Sequence, residues 1–311
     1  MSRFWMLLQR EYWEHRGAFF WTPLVLSVML VGLMLLALIA VRIGIADVET
    51  ESMAMAADGL VKFAAESHEV RSVAMSAMLM QPATLIGFVL YVVIFFYLLG
   101  SLFDDRKDRS ILFWKSLPVS DWETVVSKLL MALFVAPLIY TVFIITVQFL
   151  MLVMISVGAV FVADVPLWQT FWQPSGLHRV ALLSIVSFFY YSLWWLPLAG
   201  WLMLASSIAR RAPFLYAVIP PVLAVVAEVL LNWLGVISTG GFAFLKWVGR
   251  HVTGGVTSGT FDALTDKSMD EVFLLMMNPA NLLSWSLFLG LIIGGLMIGG
   301  AILARRYYIE I

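Results

Sequence analysis

Six long apolar runs separated by polar stretches set the pattern of this chain. They fall at about residues 18–41, 84–102, 129–157, 180–205, 213–235 and 282–304. Each is long enough to cross about 30 Å of hydrocarbon as a helix, which takes roughly 20 residues. The runs are continuous and lack the alternation of membrane-barrel strands. The pattern therefore predicts an all-α integral membrane protein with six transmembrane helices in one domain, residues 1–311. The third run exceeds the bilayer requirement, which predicts tilt or extension beyond the hydrocarbon.

Between the runs the pattern is amphipathic. In "RFWMLLQREYWEHR", residues 3–16, Trp5, Leu8 and Tyr12 share one helical face while Arg3, Arg10 and Glu14 lie elsewhere. That predicts an elbow helix lying in the membrane interface. In the loop 42–83, Met53, Ala56, Leu60, Phe63, Val70 and Ala74 keep a three-four spacing interrupted at Ser67, which predicts one amphipathic helix. The loop 236–281 alternates short apolar pieces, "GFAFLKWVG" and "DEVFLLMM", with the glycine-rich "TGGVTSGT". Pieces that short suit interfacial or re-entrant helices, and Asn278-Pro279 suits the start of the sixth span. Within that span, Gly290/Gly294 and Gly295/Gly299 form two small-x-x-x-small pairs. Packing inside one subunit and a seam between two copies both fit that spacing.

Composition agrees with a membrane location: 62% of residues are hydrophobic, 13% are charged, and mean hydropathy is +0.95. Lys and Arg then set the orientation. With the N-terminus cytoplasmic, twelve lie inside: Arg3, Arg10, Arg16, Arg106, Lys107, Arg109, Lys115, Lys128, Arg210, Arg211, Arg305 and Arg306. Seven lie outside, mostly in the two long loops, which count least. Both termini are predicted to be cytoplasmic, and the first run reads as a retained span rather than a cleaved signal. The net charge of −1 implies no nucleic-acid partner, and the absence of cysteine excludes disulfide and thiolate chemistry.

Catalytic signatures are missing. No phosphate loop or His-Glu-x-x-His is present, and the four histidines, His15, His68, His178 and His251, are scattered. They read as polar surface residues, no metal site is predicted, and the chain is not read as an enzyme. Glu228, with Asn232 one turn later, lies in the outer half of the fifth run. An intramembrane carboxylate is costly and marks a candidate pathway or proton site, unless it is hydrogen-bonded near the interface. The aromatic stretch "FFYYSLWWLPLAGW" of the fourth run either lines an apolar cavity or fills helix packing; packing is preferred.

Ten of the charged side chains fall in residues 103–128, "FDDRKDRSILFWKSLPVSDWETVVSK". Asp104 to Arg109 form a mixed-sign run, and Ile111, Leu112, Phe113 and Trp114 then form a short apolar segment. Pro118 ends it, and Ser120 with Glu123 makes a capping box that restarts a helix leading through Lys128 into the third run. An exposed apolar segment rimmed by charge suits a partner surface.

This arrangement resembles the inner loop between spans two and three of type 2 ABC exporter permeases. The elbow helix, six spans, both ends inside and short outer helices agree in outline over nearly the whole chain. The paired Asp104/Asp105, where a Glu is common, and the long first outer loop depart from the family pattern. The resemblance implies a bacterial inner-membrane permease subunit that works as a pair of copies, or with a related permease, and two ABC ATPase subunits. The loop would be a coupling helix, with Leu112, Phe113 and Trp114 docked in the ATPase and Asp105, Arg106 and Arg109 making polar links. ATP and Mg would sit on the ATPase, and this chain would bind no cofactor. Two other readings fit the residues: a proton-coupled secondary transporter using Glu228, and a non-transporting membrane scaffold. The chemical identity of any substrate is not legible.

Overall fold

The computed structural model describes residues 3–43, 50–109, 111, 119–237, 242–254 and 283–307, and every element among them is helical. Six helices are long and apolar enough to cross a membrane. The chain is a multi-pass helical membrane protein.

The helix α1, Arg3–Glu14, is followed by α2, Thr22–Ile43, the first span. Next, α3, Thr50–Ala65, and α4, His68–Ser101, replace the single helix expected before span two. Ser67 separates them: its extended backbone (φ −60°, ψ 153°) cannot continue a helix, and its hydroxyl accepts the Val70 N–H at 3.3 Å. The short α5 is Phe103–Lys107, and the third span comprises α6, Asp121–Leu130, and α7, Ala136–Val162.

The fourth membrane-length helix, Trp168–Trp194, contains α8, Leu177–Trp194, and the shorter apolar α9, Leu196–Ile208, follows it, where one helix over 180–205 was expected. Pro197 has no N–H to bond the Leu193 carbonyl, which weakens the ladder where Trp195 breaks it. The fifth span is α10, Pro213–Trp233; α11, Ala243–Val252, is the first of the two short apolar pieces; and α12, Trp285–Tyr307, is the sixth span. The second piece and Asn278-Pro279 lie outside the described residues.

Prolines also shape the helix interiors. Three π-helical turns, Gly17–Trp21, Met131–Val135 and Trp168–Trp172, end two residues before Pro23, Pro137 and Pro174. A proline cannot serve the carbonyl four residues back, so the preceding turn widens and frees carbonyls for other partners. Neighbouring spans take them up: the Ser192 hydroxyl donates to the Leu133 carbonyl at 2.6 Å, and the Tyr140 hydroxyl to Ala18 at 2.8 Å.

The main core forms where α4, α6, α7, α9 and α12 meet, around Leu98, Val125, Tyr140, Met203 and Ala301. The outer spans α2 and α10 bury only 11% of their apolar windows, against 39% for the segments containing α4 and α7. Of the span-six glycines, Gly290 abuts His251, and a Cβ at Gly294 would meet the Leu196 carbonyl carbon and oxygen and the Pro197 nitrogen, each at 3.0 Å. Gly295 and Gly299 have nothing within 4 Å of a Cβ position, so the two pairs divide: the first packs inside this chain and the second does not.

Candidate functional site

Five charged side chains from α1, α5, α6 and α12 meet at one end of the bundle. Glu11, Asp105, Lys128 and Arg305 are buried, and Asp121 is half-buried. The Lys128 ammonium lies 3.0 Å from Glu11 Oε1 and 3.5 Å from Asp105 Oδ1. On its other oxygen, Asp105 takes Arg305 Nη1 at 2.8 Å, while Arg305 Nε reaches Asp121 Oδ1 at 3.1 Å. Tyr97 of α4 donates its hydroxyl to Glu11 Oε2 at 3.0 Å. Charges withdrawn from water this far persist only when each finds partners, and these form a continuous chain.

The local sequence explains the arrangement. Helix α1 turns Leu7 and Glu11 inward, with Leu8 and Tyr12 packed on the core, while Trp5 stays exposed. The expected face of Trp5, Leu8 and Tyr12 is therefore rotated, and the acidic Glu11 belongs to the packed side. Helix α6 starts with both capping-box bonds: the Glu123 N–H donates to Ser120 Oγ at 3.1 Å, and the Ser120 N–H to Glu123 Oε2 at 2.8 Å. That start fixes Asp121 in the first turn and Lys128 in the last.

Arg106 faces a different partner. Its Nη2 donates to the Ser206 and Ala209 carbonyls, both at 2.8 Å, at the end of α9. The Ser206 hydroxyl in turn accepts the Leu102 and Phe103 N–H groups at 3.1 and 3.0 Å, the donors left over where α5 begins. Arg109 is exposed in the left-handed region (φ 57°), a conformation that costs a non-glycine residue about 1–3 kcal/mol. Ile111 is buried, and Leu112, Phe113, Trp114 and Pro118 lie outside the described residues.

The expectation that Asp105 and Arg106 point toward a partner is thus corrected: both are buried and bonded within the chain. Of the three polar residues named for that role, Arg109 alone is at the surface. Sequence reading missed Glu11 and Ser206 altogether, took Arg305 as a topological charge, and took Lys128 as an interface charge at the end of the loop arrangement. Their one sequence signal was position, since each stands within a turn or two of a helix end.

Glu228 is also explained by packing. Its carboxylate accepts the Ala243 and Phe244 N–H groups, the latter at 3.0 Å, and so caps α11, while Asn232 Nδ2 donates to the Glu228 carbonyl at 2.9 Å. At the other end of α11, His251 is fully buried, which corrects its reading as a surface residue. Its ring lies 4.2 Å from that of Trp247 and 5.3 Å from that of Trp194, and Nδ1 donates to the Trp247 carbonyl at 2.9 Å. Burial pushes the imidazole below its ordinary value, against the opposing pull of the Trp247 carbonyl. Among the described residues no group of three or more His, Cys, Asp or Glu is arranged to hold a metal ion. No family model, curated protein or solved structure matches the chain.

Proposed function

We propose that this chain is the membrane-spanning permease subunit of an ATP-driven exporter of the type 2 ABC class. It works in the bacterial inner membrane with both termini cytoplasmic, as a pair of copies joined by two ATPase subunits that carry ATP and Mg. Closure of the ATPases on ATP pushes the loop at residues 103–128, and the push tilts the spans to expel or extract a substrate.

One observation carries this reading: Arg305 holds Asp105 on the upstream stem of the loop and Asp121 on the downstream stem. With Lys128 and Glu11 the two stems are tied to α1, α6 and α12 through charges buried in the bundle. A loop anchored on both sides transmits force to the spans instead of flexing. In this scheme Arg109 supplies a polar link to the ATPase, and Asp105 and Arg106 act as internal anchors. The N-terminal helix then serves as the elbow through which the push reaches span one.

The test is co-expression with ABC ATPase subunits that lack membrane spans, beginning with any encoded beside this gene. Retention of one such ATPase on the affinity-purified permease is expected, and Phe113→Asp with Trp114→Asp is expected to abolish retention and ATPase stimulation while membrane insertion stays normal. Unchanged retention and stimulation in the inserted double variant would rule the assignment out.

A further inference from the structure

A cavity of about 490 Å³ lies between α4, α7 and α8, with Val252 and Thr253 at the end of α11 also lining it. That volume falls in the roughly 300–1,000 Å³ range of small-molecule sites. Among the described residues, no charged one lines it. Its walls are apolar and aromatic, and three of the hydroxyl groups, those of Thr84, Thr141 and Ser184, spend their protons on carbonyls one turn back in their own helices, at 3.2, 2.9 and 3.0 Å.

Two phenols remain. Tyr91 of α4 and Tyr191 of α8 meet edge to face at 6.3 Å, and neither hydroxyl is hydrogen-bonded to another described residue. Tyr91 is held in place by Trp195, whose indole stacks on it at 4.3 Å and donates to the Val252 carbonyl at 3.3 Å. The break in the fourth apolar run thus puts Trp195 against the wall, and the proline-widened turn before α7 contributes Leu133.

A charged guest would lose its hydration here and meet no counter-charge among the described residues, which is expensive at membrane depth. A guest with an acceptor group would instead satisfy two phenol protons that no described residue takes up. We infer that this cavity binds an uncharged, largely apolar molecule bearing a hydrogen-bond-accepting group such as an ester, held by Tyr91 and Tyr191. As the identity of the exported substrate, this class rests on the exporter reading above; as a binding site, it stands on the cavity alone.

Photolabelling in nanodiscs tests it, using three long-chain probes with the same chain-borne diazirine: a methyl ester, a primary amine and a carboxylic acid, at neutral pH. The ester is expected to label peptides of α4 and α8 in preference to the peripheral α10, and the amine and acid are not. Tyr91→Phe with Tyr191→Phe should lower ester labelling roughly fivefold or more, the least that two lost hydrogen bonds amount to. Gly87 lines the cavity and has nothing within 4 Å of a Cβ position, so Gly87→Phe fills the space without displacing backbone and should abolish labelling. Equal labelling by the charged probes, or ester labelling that survives both sets of substitutions, would overturn the inference. Labelling needs no ATPase, so its failure and the failure of ATPase docking are separate results.

Discussion

Lys128 is enclosed between two carboxylates, with 2% of its side chain exposed. Removing it deprives Glu11 of its closest buried cation and takes one of the buried cations from Asp105. Lys128→Met is expected to cost about 3–5 kcal/mol, the usual penalty for stranding a buried charge. Adding Glu11→Gln should recover part of that loss, so that the double variant falls short of the sum; thermal unfolding in detergent measures both, and strict additivity would mean the pair is not coupled. His251 gives a second test at this scale. Its folded-state value is depressed, so both states are neutral above about pH 6.5 and the stabilisation is complete there. As pH falls through that value, the unfolded chain gains a proton that the folded chain refuses, and stability declines. Midpoints measured from neutral to mildly acidic pH should therefore fall more steeply for the natural protein than for His251→Gln; equal slopes would refute it. Neither environment was legible in sequence: Lys128 read as an interface charge and His251 as a surface histidine, because their partners come from distant segments.

At the scale of helices, glycine and proline carry most of the information. Gly294 faces the backbone at the start of α9, where an added methyl has nowhere to move. Gly294→Ala is expected to cost about 1–3 kcal/mol, as overpacking does, whereas Gly299→Ala should change unfolding by less than about 1 kcal/mol. A similar loss from both substitutions would mean that α12 packs differently. The spacing of these glycines was readable, but which pair faces inward depends on the rotation of α12, which a glycine-rich run leaves open. Proline gave a clearer signal than was used. Pro23, Pro137 and Pro174 each follow a widened turn by two residues, and the carbonyls of Ala18 and Leu133 take hydroxyls from other spans. The break in the fourth run was legible in Pro197, while the hydrophobicity of its flanks concealed it.

Across the whole molecule, the six apolar runs led to the number of membrane-length helices, since length and hydropathy decide it, but the fourth such helix is Trp168–Trp194 and leaves the second half of the run 180–205 to the shorter α9. The charge cluster was beyond reach because it depends on which helix ends share a depth and a neighbour. It joins Glu11, near one end of the sequence, to Arg305, near the other, through Lys128 and Asp105. That closure gives biogenesis an order. Chains fold N-terminal parts first as they are synthesised, so Glu11, Asp105 and Lys128 can gather early, whereas Arg305 is made after every other member of the cluster. Until it arrives, the clasp from Asp105 to Asp121 is missing, and Asp105 lacks the cation on its second oxygen. A chain stopped at Ala304 should accordingly insert its spans yet be cleared faster than the full-length protein in a pulse-chase measurement, and Arg305→Met should behave alike; equal lifetimes would show that the late arginine is dispensable. The same ion pairs that tie α1, α5, α6 and α12 together would then act as a checkpoint, withholding the finished cluster until the sixth span is in the membrane.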